Sequence, residues 1–324
     1  MKRRDFIAAL ASVAAWPLAA LPLAARAQSG SRRYRIGVLD TSAPQVNTNF
    51  KVLQQALRAL GYVEGQNLSF EYRSADGRNE SFPALAGELS RLDVDLIVTR
   101  GTPAALAAKA ATATIPVVMA AVGEPAAIVR GTSNLTGFGA ILPGAERRRL
   151  EALKDMLPQV ARIAALMNLS NPSRASEWSE IEAGARALGI EAQVLDTRTL
   201  ADIERSFDAA EHQHLDAVVV GSDTIMQANQ RHVIALTAAH RLPAIYTFRD
   251  YVDAGGLVSY GVSLPDLFRR AAVSVDKILK GARPADLPVA QATGSELVVN
   301  VRTAKALGLA LPEAFLARAE TVVE

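Results

Sequence analysis

The chain has 324 residues, half of them apolar, 21% charged and 5% aromatic, and it contains no cysteine. That excludes a disulfide framework, a thiolate metal site, a cysteine nucleophile and a lipid-bearing cysteine anchor. Its 35 basic and 33 acidic side chains form no basic stripe interleaved with aromatics, so nucleic-acid binding lacks electrostatic support.

Lys2-Arg3-Arg4 opens the chain, an Ala-rich apolar stretch runs from Phe6 to Ala25 with Pro17 and Pro22 inside it, and Ala25-Arg26-Ala27 precedes Gln28. A basic start, a short apolar run and a small-x-small site describe residues 1–27 as a signal peptide removed on export. Arg3-Arg4-Asp5-Phe6-Ile7 resembles the twin-arginine consensus, with Lys2 where Ser or Thr is usual; the twin-arginine and general secretion routes both fit. An exported protein without a lipid anchor is expected free in a periplasm. Once the leader is gone, 31 basic face 32 acidic residues, and Arg147-Arg148-Arg149 reads as the solvated face of a helix.

The remaining chain, about 297 residues, reaches the size at which one core gives way to two. Short β-branched runs alternate along it with Ala/Leu-rich helical periods. Strand Tyr34–Leu39 precedes helix Asn49–Leu60, which Gly61 closes. Strand Leu68–Tyr72 and helix Pro83–Leu92 follow, then strand Val94–Thr99, helix Pro103–Ala111 and strands Ile115–Met119 and Leu135–Phe138. The rhythm restarts with helix Glu146–Met156, strand Ile163–Met167, helix Arg174–Leu188 and strand Glu191–Leu195. Helix Leu200–Glu211, strand Ala217–Val220, helix Gln227–His240 and strand Ala244–Tyr246 continue it. Apolar strands alternating with helices predict parallel sheets covered on both faces, and two successive runs predict two doubly wound α/β lobes.

Gly255-Gly256 then precedes strand Leu257–Tyr260 and helix Pro265–Leu279, with Pro284–Pro288 as an extended linker and a strand at Glu296–Asn300. This order resembles type I periplasmic binding proteins, in which the chain crosses between lobes three times. The expected division places 34–143 and 256–283 in lobe one, and 144–255 and 284–324 in lobe two.

Three segments carry a closer resemblance: Leu57–Asn67 (LRALGYVEGQN), Pro243–Gly261 (PAIYTFRDYVDAGGLVSYG) and Thr303–Leu309 (TAKALGL). They resemble the substrate-binding proteins of ABC transporters in the family that includes tryptophan- and phenylalanine-binding members. The resemblance implies a small-molecule ligand, an ABC permease as partner, and no cofactor. The chain departs from the family pattern at Val129–Gly137, where many members carry a longer segment with Pro-Gly-Gly-Asn, and at Gly123-Glu124-Pro125, where Gly-Asp-Pro is common. Both changes bear on the size of the pocket.

In open parallel sheets, ligands gather beyond the carboxyl ends of the strands, where helix N-termini point. The residues there are Asp40-Thr41-Ser42, Gly101-Thr102-Pro103 and Glu124 in the first half, with Asn168, Ser170, Asn171, Ser222-Asp223 and Tyr246 in the second. Thr102 as N-cap with Pro103 at the first helical position suits a carboxylate, and also suits an ordinary capped helix. Asp223 suits a ligand ammonium or the cap of the next helix. Tyr246 packs on the ligand or fills the edge between lobes.

Enzyme readings find no footing. No Gly-x-Ser-x-Gly elbow, Walker loop or dinucleotide fingerprint occurs, and His212, His214, His232 and His240 lack the helical spacing of a zinc site. A LacI-like regulator shares the lobe architecture, but the export leader and the missing helix-turn-helix argue against it. The expected protein is a periplasmic receptor without stable membrane insertion. It would close on an amino acid or related zwitterion, with a sugar or aromatic acid as the alternative ligand and a hydrolase on the same fold as a weaker one.

Overall fold

The apolar β-branched runs supply most of the strands of the fold. In the computed structural model, which describes residues 32–171 and 174–324, they are β1 (Tyr34–Asp40), β2 (Leu68–Ser74), β3 (Leu96–Arg100), β4 (Val117–Val122), β5 (Leu135–Gly139), β6 (Arg162–Met167), β7 (Glu191–Asp196), β8 (Ala217–Val220), β9 (Ala244–Tyr246), β10 (Val258–Gly261), β11 (Val289–Gln291), β12 (Glu296–Asn300) and β13 (Thr321–Val323). The expected signal peptide lies outside the described residues.

The strands form two sheets, ordered β11-β5-β4-β3-β1-β2 and β13-β12-β10-β9-β8-β6-β7. Neighbours run parallel except β10 and β12, which are antiparallel. Strands β3, β4, β5 and β8 are buried along their whole length, as parallel strands covered on both faces must be. The fold is therefore two doubly wound lobes, with the chain passing between them after β5, after β10 and after β11.

The second and third passages fall later than the sequence suggests. Gly255-Gly256 reads as a boundary, yet β10 stays in the second sheet, between β9 and β12. Gly256 makes a tight turn inside that lobe: its N–H donates to Tyr251 O at 2.8 Å, and a Cβ there would lie 2.6 Å from the Tyr246 ring. Likewise Pro284–Pro288 is not a passage. It runs along the first lobe, where Thr136 Oγ1 donates to Pro288 O at 3.1 Å, and β11 then adds to β5. The first sheet thus owns the segment from Leu264 to Gln291, and the second sheet owns Val258–Gly261.

Between those passages, helix Leu264–Leu279 turns Leu267, Phe268, Ala271, Ala272 and Val275 onto the first lobe's core. Burying side chains such as Phe268 contributes about 1.5–3 kcal/mol each. Tyr62 Oη donates to Asp276 Oδ1 at 2.9 Å, fixing this returning helix to the chain's first third. The expected helix over Gln227–His240 is two pieces, Thr224–Ala228 and Gln230–Ala239, meeting at Asn229. Among the described residues, no helix is long and apolar enough to cross a membrane.

Candidate ligand-binding site

The ends of β1, β3 and β4 face the ends of β6 and β8 across a cavity of about 60 Å³. Thr41, Gly101, Thr102 and Gly123 line it from the first lobe; Asn171, Arg174, Ser222, Asp223 and Gln227 line it from the second. Val122, Ile141, Phe248 and Leu264 supply an apolar wall.

On the first lobe, β3 ends at Arg100 and helix Thr102–Ala111 begins almost at once. Gly101, not Thr102, is the N-cap, with φ +85°, a conformation glycine takes without strain. Thr102 is therefore already helical, and its Oγ1 accepts from the Gly123 N–H at 2.9 Å. That bond ties the helix start to the turn after β4. Backbone donors at a helix start, flanked by the Thr41 and Thr102 hydroxyls, suit an anionic group.

On the second lobe, Asp223 is both a helix cap and a wall residue. It caps helix Thr224–Ala228, its Oδ1 accepting from Ile225 N at 3.3 Å, and it lines the cavity. Asn168 Nδ2 donates to the same oxygen at 3.1 Å, and Asn171 Nδ2 donates to Oδ2 at 2.6 Å. Asp223 is only 4% exposed. Three donors fix the carboxylate in place, and its remaining lone pairs are available to a cation.

The other expected residues divide into supports and bystanders. Asn168 is off the cavity wall; Ser170 Oγ donates to its Oδ1 at 2.5 Å, which turns the Asn168 amide toward Asp223. Ser170 itself is exposed. Asp40 Oδ1 accepts from Thr41 N at 2.6 Å and stands 3.8 Å from Arg100 Nη1, so it orients wall residues without joining them. Ser42 faces a separate groove and its carbonyl accepts from Tyr72 Oη at 2.7 Å. Glu124 is exposed at the start of helix Pro125–Ile128.

Tyr246 is a correction. It is fully buried in the second lobe's core, stacked on Tyr251 at 4.6 Å and 13°, with its hydroxyl 3.3 Å from Thr237 Oγ1. Burial pushes both phenols above the ordinary tyrosine pKa.

Among the wall residues that escape the sequence reading are Arg100, Arg174, Gln227 and Phe248. Arg100 carried a usable signal, since a cation closing the apolar run Leu96–Arg100 just before Gly-Thr-Pro is out of place in a buried strand. Its Nη2 donates to Gln227 Oε1 at 2.7 Å and lies 3.9 Å from Asp250 Oδ2, both second-lobe residues. Arg174 Nη1 donates to Glu177 Oε2 and to Ser222 Oγ, the latter at 3.2 Å. A second buried ion pair joins Glu146 and Arg149, and Arg149 Nε also donates to Tyr260 O at 3.1 Å. Burial pushes the Glu177 carboxyl up, with the Arg174 charge opposing. Among the described residues, no group of three His, Asp or Glu is placed to hold a metal ion.

A wall with an anion-accepting helix start on one lobe and a cation-accepting carboxylate on the other can hold a small molecule bearing both charges. Comparison with known proteins agrees in kind. Residues 36–323 match the family model described as ABC transporter substrate binding protein. A tyrosine-binding protein of Clostridioides difficile strain R20291 is 24% identical over 272 residues, covering 82% of this chain and 78% of that protein. The crystal structure of an ABC domain from Streptococcus pneumonia in complex with L-Trp is similar at a TM-score of 0.80 and 26% identity, over 90% of this chain and 100% of that one. A conserved domain protein from Vibrio cholerae reaches 0.81 and 28% over the same shares.

Proposed function

The chain belongs to the ABC transporter substrate-binding protein family, and on that premise we propose that its lobes close on a zwitterionic amino acid and present it to an importer's permease. The observation that carries this is the facing pair of charge acceptors: the helix start at Gly101-Thr102 on one lobe and Asp223 on the other, lining one cavity. An α-carboxylate would lie at the helix start and an α-ammonium at Asp223, with the side chain along Val122, Ile141 and Phe248. The L-Trp complex and the tyrosine-binding relative support an amino acid as the ligand class.

The mechanism is a population shift. Only the closed arrangement brings both charge partners to the ligand, so binding energy favours closure. In this reading the protein is exported to the periplasm, loses residues 1–27, carries no catalytic activity, and binds neither nucleic acid nor membrane stably. Phe248 is the one aromatic ring on the cavity wall among the described residues, which gives a sugar a single stacking face.

A thermal-shift screen of amino acids, aromatic acids and sugars tests the proposal. A ligand binding only the folded state stabilises it by about 2.7 kcal/mol at a hundredfold excess over Kd. Amino acids are expected to raise the melting temperature; a rise with sugars alone overturns the reading.

A further inference from the structure

Strand β2 leaves the first lobe's sheet through a tight turn, Ala75-Asp76-Gly77-Arg78. Asp76 and Gly77 both have positive φ, +46° and +83°, and Arg78 N donates back to Ala75 O at 2.9 Å. These are the φ signs of a type I′ turn, which Asp-Gly favours. Two further bonds fasten the turn to the end of β1: Ala75 N donates to Asp40 O at 3.0 Å, and Gly77 N to Thr41 O at 3.2 Å. Thr41 lines the ligand cavity, so the turn is fixed to the first lobe's wall.

Gly77 is buried while Asp76 and Arg78 beside it are exposed, and what covers it belongs to the second lobe. A Cβ at Gly77 would lie 3.0 Å from Ile225 Cδ1, 3.2 Å from Ala228 Cβ and 3.5 Å from Asn229 Nδ2. Ile225 and Ala228 belong to helix Thr224–Ala228, whose cap is Asp223. A second first-lobe glycine approaches the same helix, since a Cβ at Gly101 would lie 4.0 Å from Thr224 Oγ1. The helix is thus met at its first residue by Gly101 and at its last by Gly77.

We propose that Gly77 is a positioning residue for closure. With no side chain there, the turn seats directly on helix Thr224–Ala228 and sets how near Asp223 comes to the Gly101-Thr102 helix start. This rests on the reading of the cleft as two lobes that close on a ligand. Positive φ alone does not demand the bare backbone, because asparagine also accepts it. Gly65 separates the two demands: its φ is +82°, and a Cβ there meets nothing within 4 Å. A side chain at position 77 would act as a wedge. Packed neighbours yield little, so the lobes would stand apart and the closed, binding-competent fraction would fall.

Gly77→Asn and Gly65→Asn, compared on the exported protein, test this. Ala228→Leu presses on the same contact from the second lobe, at a position without positive φ. Small-angle scattering reads the ligand-free radius, and calorimetry reads affinity for L-tyrosine, L-tryptophan and the other amino acids of the screen. Gly77→Asn and Ala228→Leu are expected to enlarge the particle and to weaken each amino acid that the unaltered protein binds by about tenfold or more. Gly65→Asn is expected to do neither. If Gly77→Asn does not fold, Ala228→Leu against Gly65→Asn decides the matter. Radius and affinity in the contact variants equal to those of Gly65→Asn overturn the proposal and leave the amino-acid reading standing. If the unaltered protein binds no amino acid, that reading fails, and the ligand-free radii still decide the role of Gly77.

Discussion

Arg100 Nη2 donates to Gln227 Oε1 over 2.7 Å, joining the last residue of a first-lobe strand to a second-lobe helix across the cavity both line. The bond needs no ligand, so it holds part of the closed arrangement by itself. A hydrogen bond to a charged donor contributes about 1.5–3 kcal/mol, enough to shift an open–closed balance about tenfold or more. Arg100→Met is therefore expected to enlarge the ligand-free particle in small-angle scattering and to weaken ligand binding. An unchanged radius and affinity would show that closure does not depend on this contact.

Asp223 joins two roles that one substitution can separate. Asparagine caps a helix about as well as aspartate, so capping alone predicts little effect from Asp223→Asn. The structure adds Asn168 and Asn171, which both donate to the carboxylate; an amide in its place sets one N–H₂ against another. Folding stability is expected to fall by about 1–3 kcal/mol, and amino-acid affinity by about 2–5 kcal/mol, the usual effect of truncating one side of a buried charge pair. Denaturant titration and calorimetry read the two separately, and full affinity in the folded variant argues against an ammonium at Asp223.

Tyr246→Phe is expected to leave ligand affinity unchanged. The hydroxyl reaches Thr237 Oγ1 at 3.3 Å inside the core, so its loss should reduce stability by about 0.5–1.5 kcal/mol. A marked change in binding, with the melting temperature intact, would return Tyr246 to the site.

The Glu177 carboxyl gives stability a pH dependence. Burial raises its pKa in the folded state above the ordinary 4.5, so the folded protein holds this proton where the unfolded chain has released it. Its contribution is complete below pH 4.5 and is lost as pH rises toward the folded value. Glu177→Gln cannot ionise, and its unfolding free energy should decline less than that of the unaltered protein as pH rises from 4.5. Identical slopes for the two proteins would contradict the shift.

The alternation of β-branched runs with helical periods makes both lobes legible, because central strands such as β4 and β8 are continuous apolar runs and the helices between them have their own period. Positions after the strands are legible for the same reason, and Thr41, Gly101, Thr102, Asn171, Ser222 and Asp223 do line one cavity. What stays hidden is what turn chemistry leaves open. Gly255-Gly256 announces a turn but not that β10 rejoins the same sheet. Strand β11 is three residues beside a proline-rich segment, and only its pairing with β5 defines it. Tyr246 ends an apolar strand in the same way whether it faces a ligand or a core, and depth is a tertiary property. Arg174 and Glu177 read in sequence like a surface i,i+3 pair, yet both are buried.

The amino-acid reading stands or falls on the ligand's ammonium group. Calorimetry should compare an amino acid found in the screen with the 2-hydroxy acid of the same side chain, which keeps the carboxylate and replaces the ammonium by a hydroxyl. The account predicts that the hydroxy acid binds about 2–5 kcal/mol more weakly, because Asp223 then faces no cation. Equal affinity for the two compounds would contradict it.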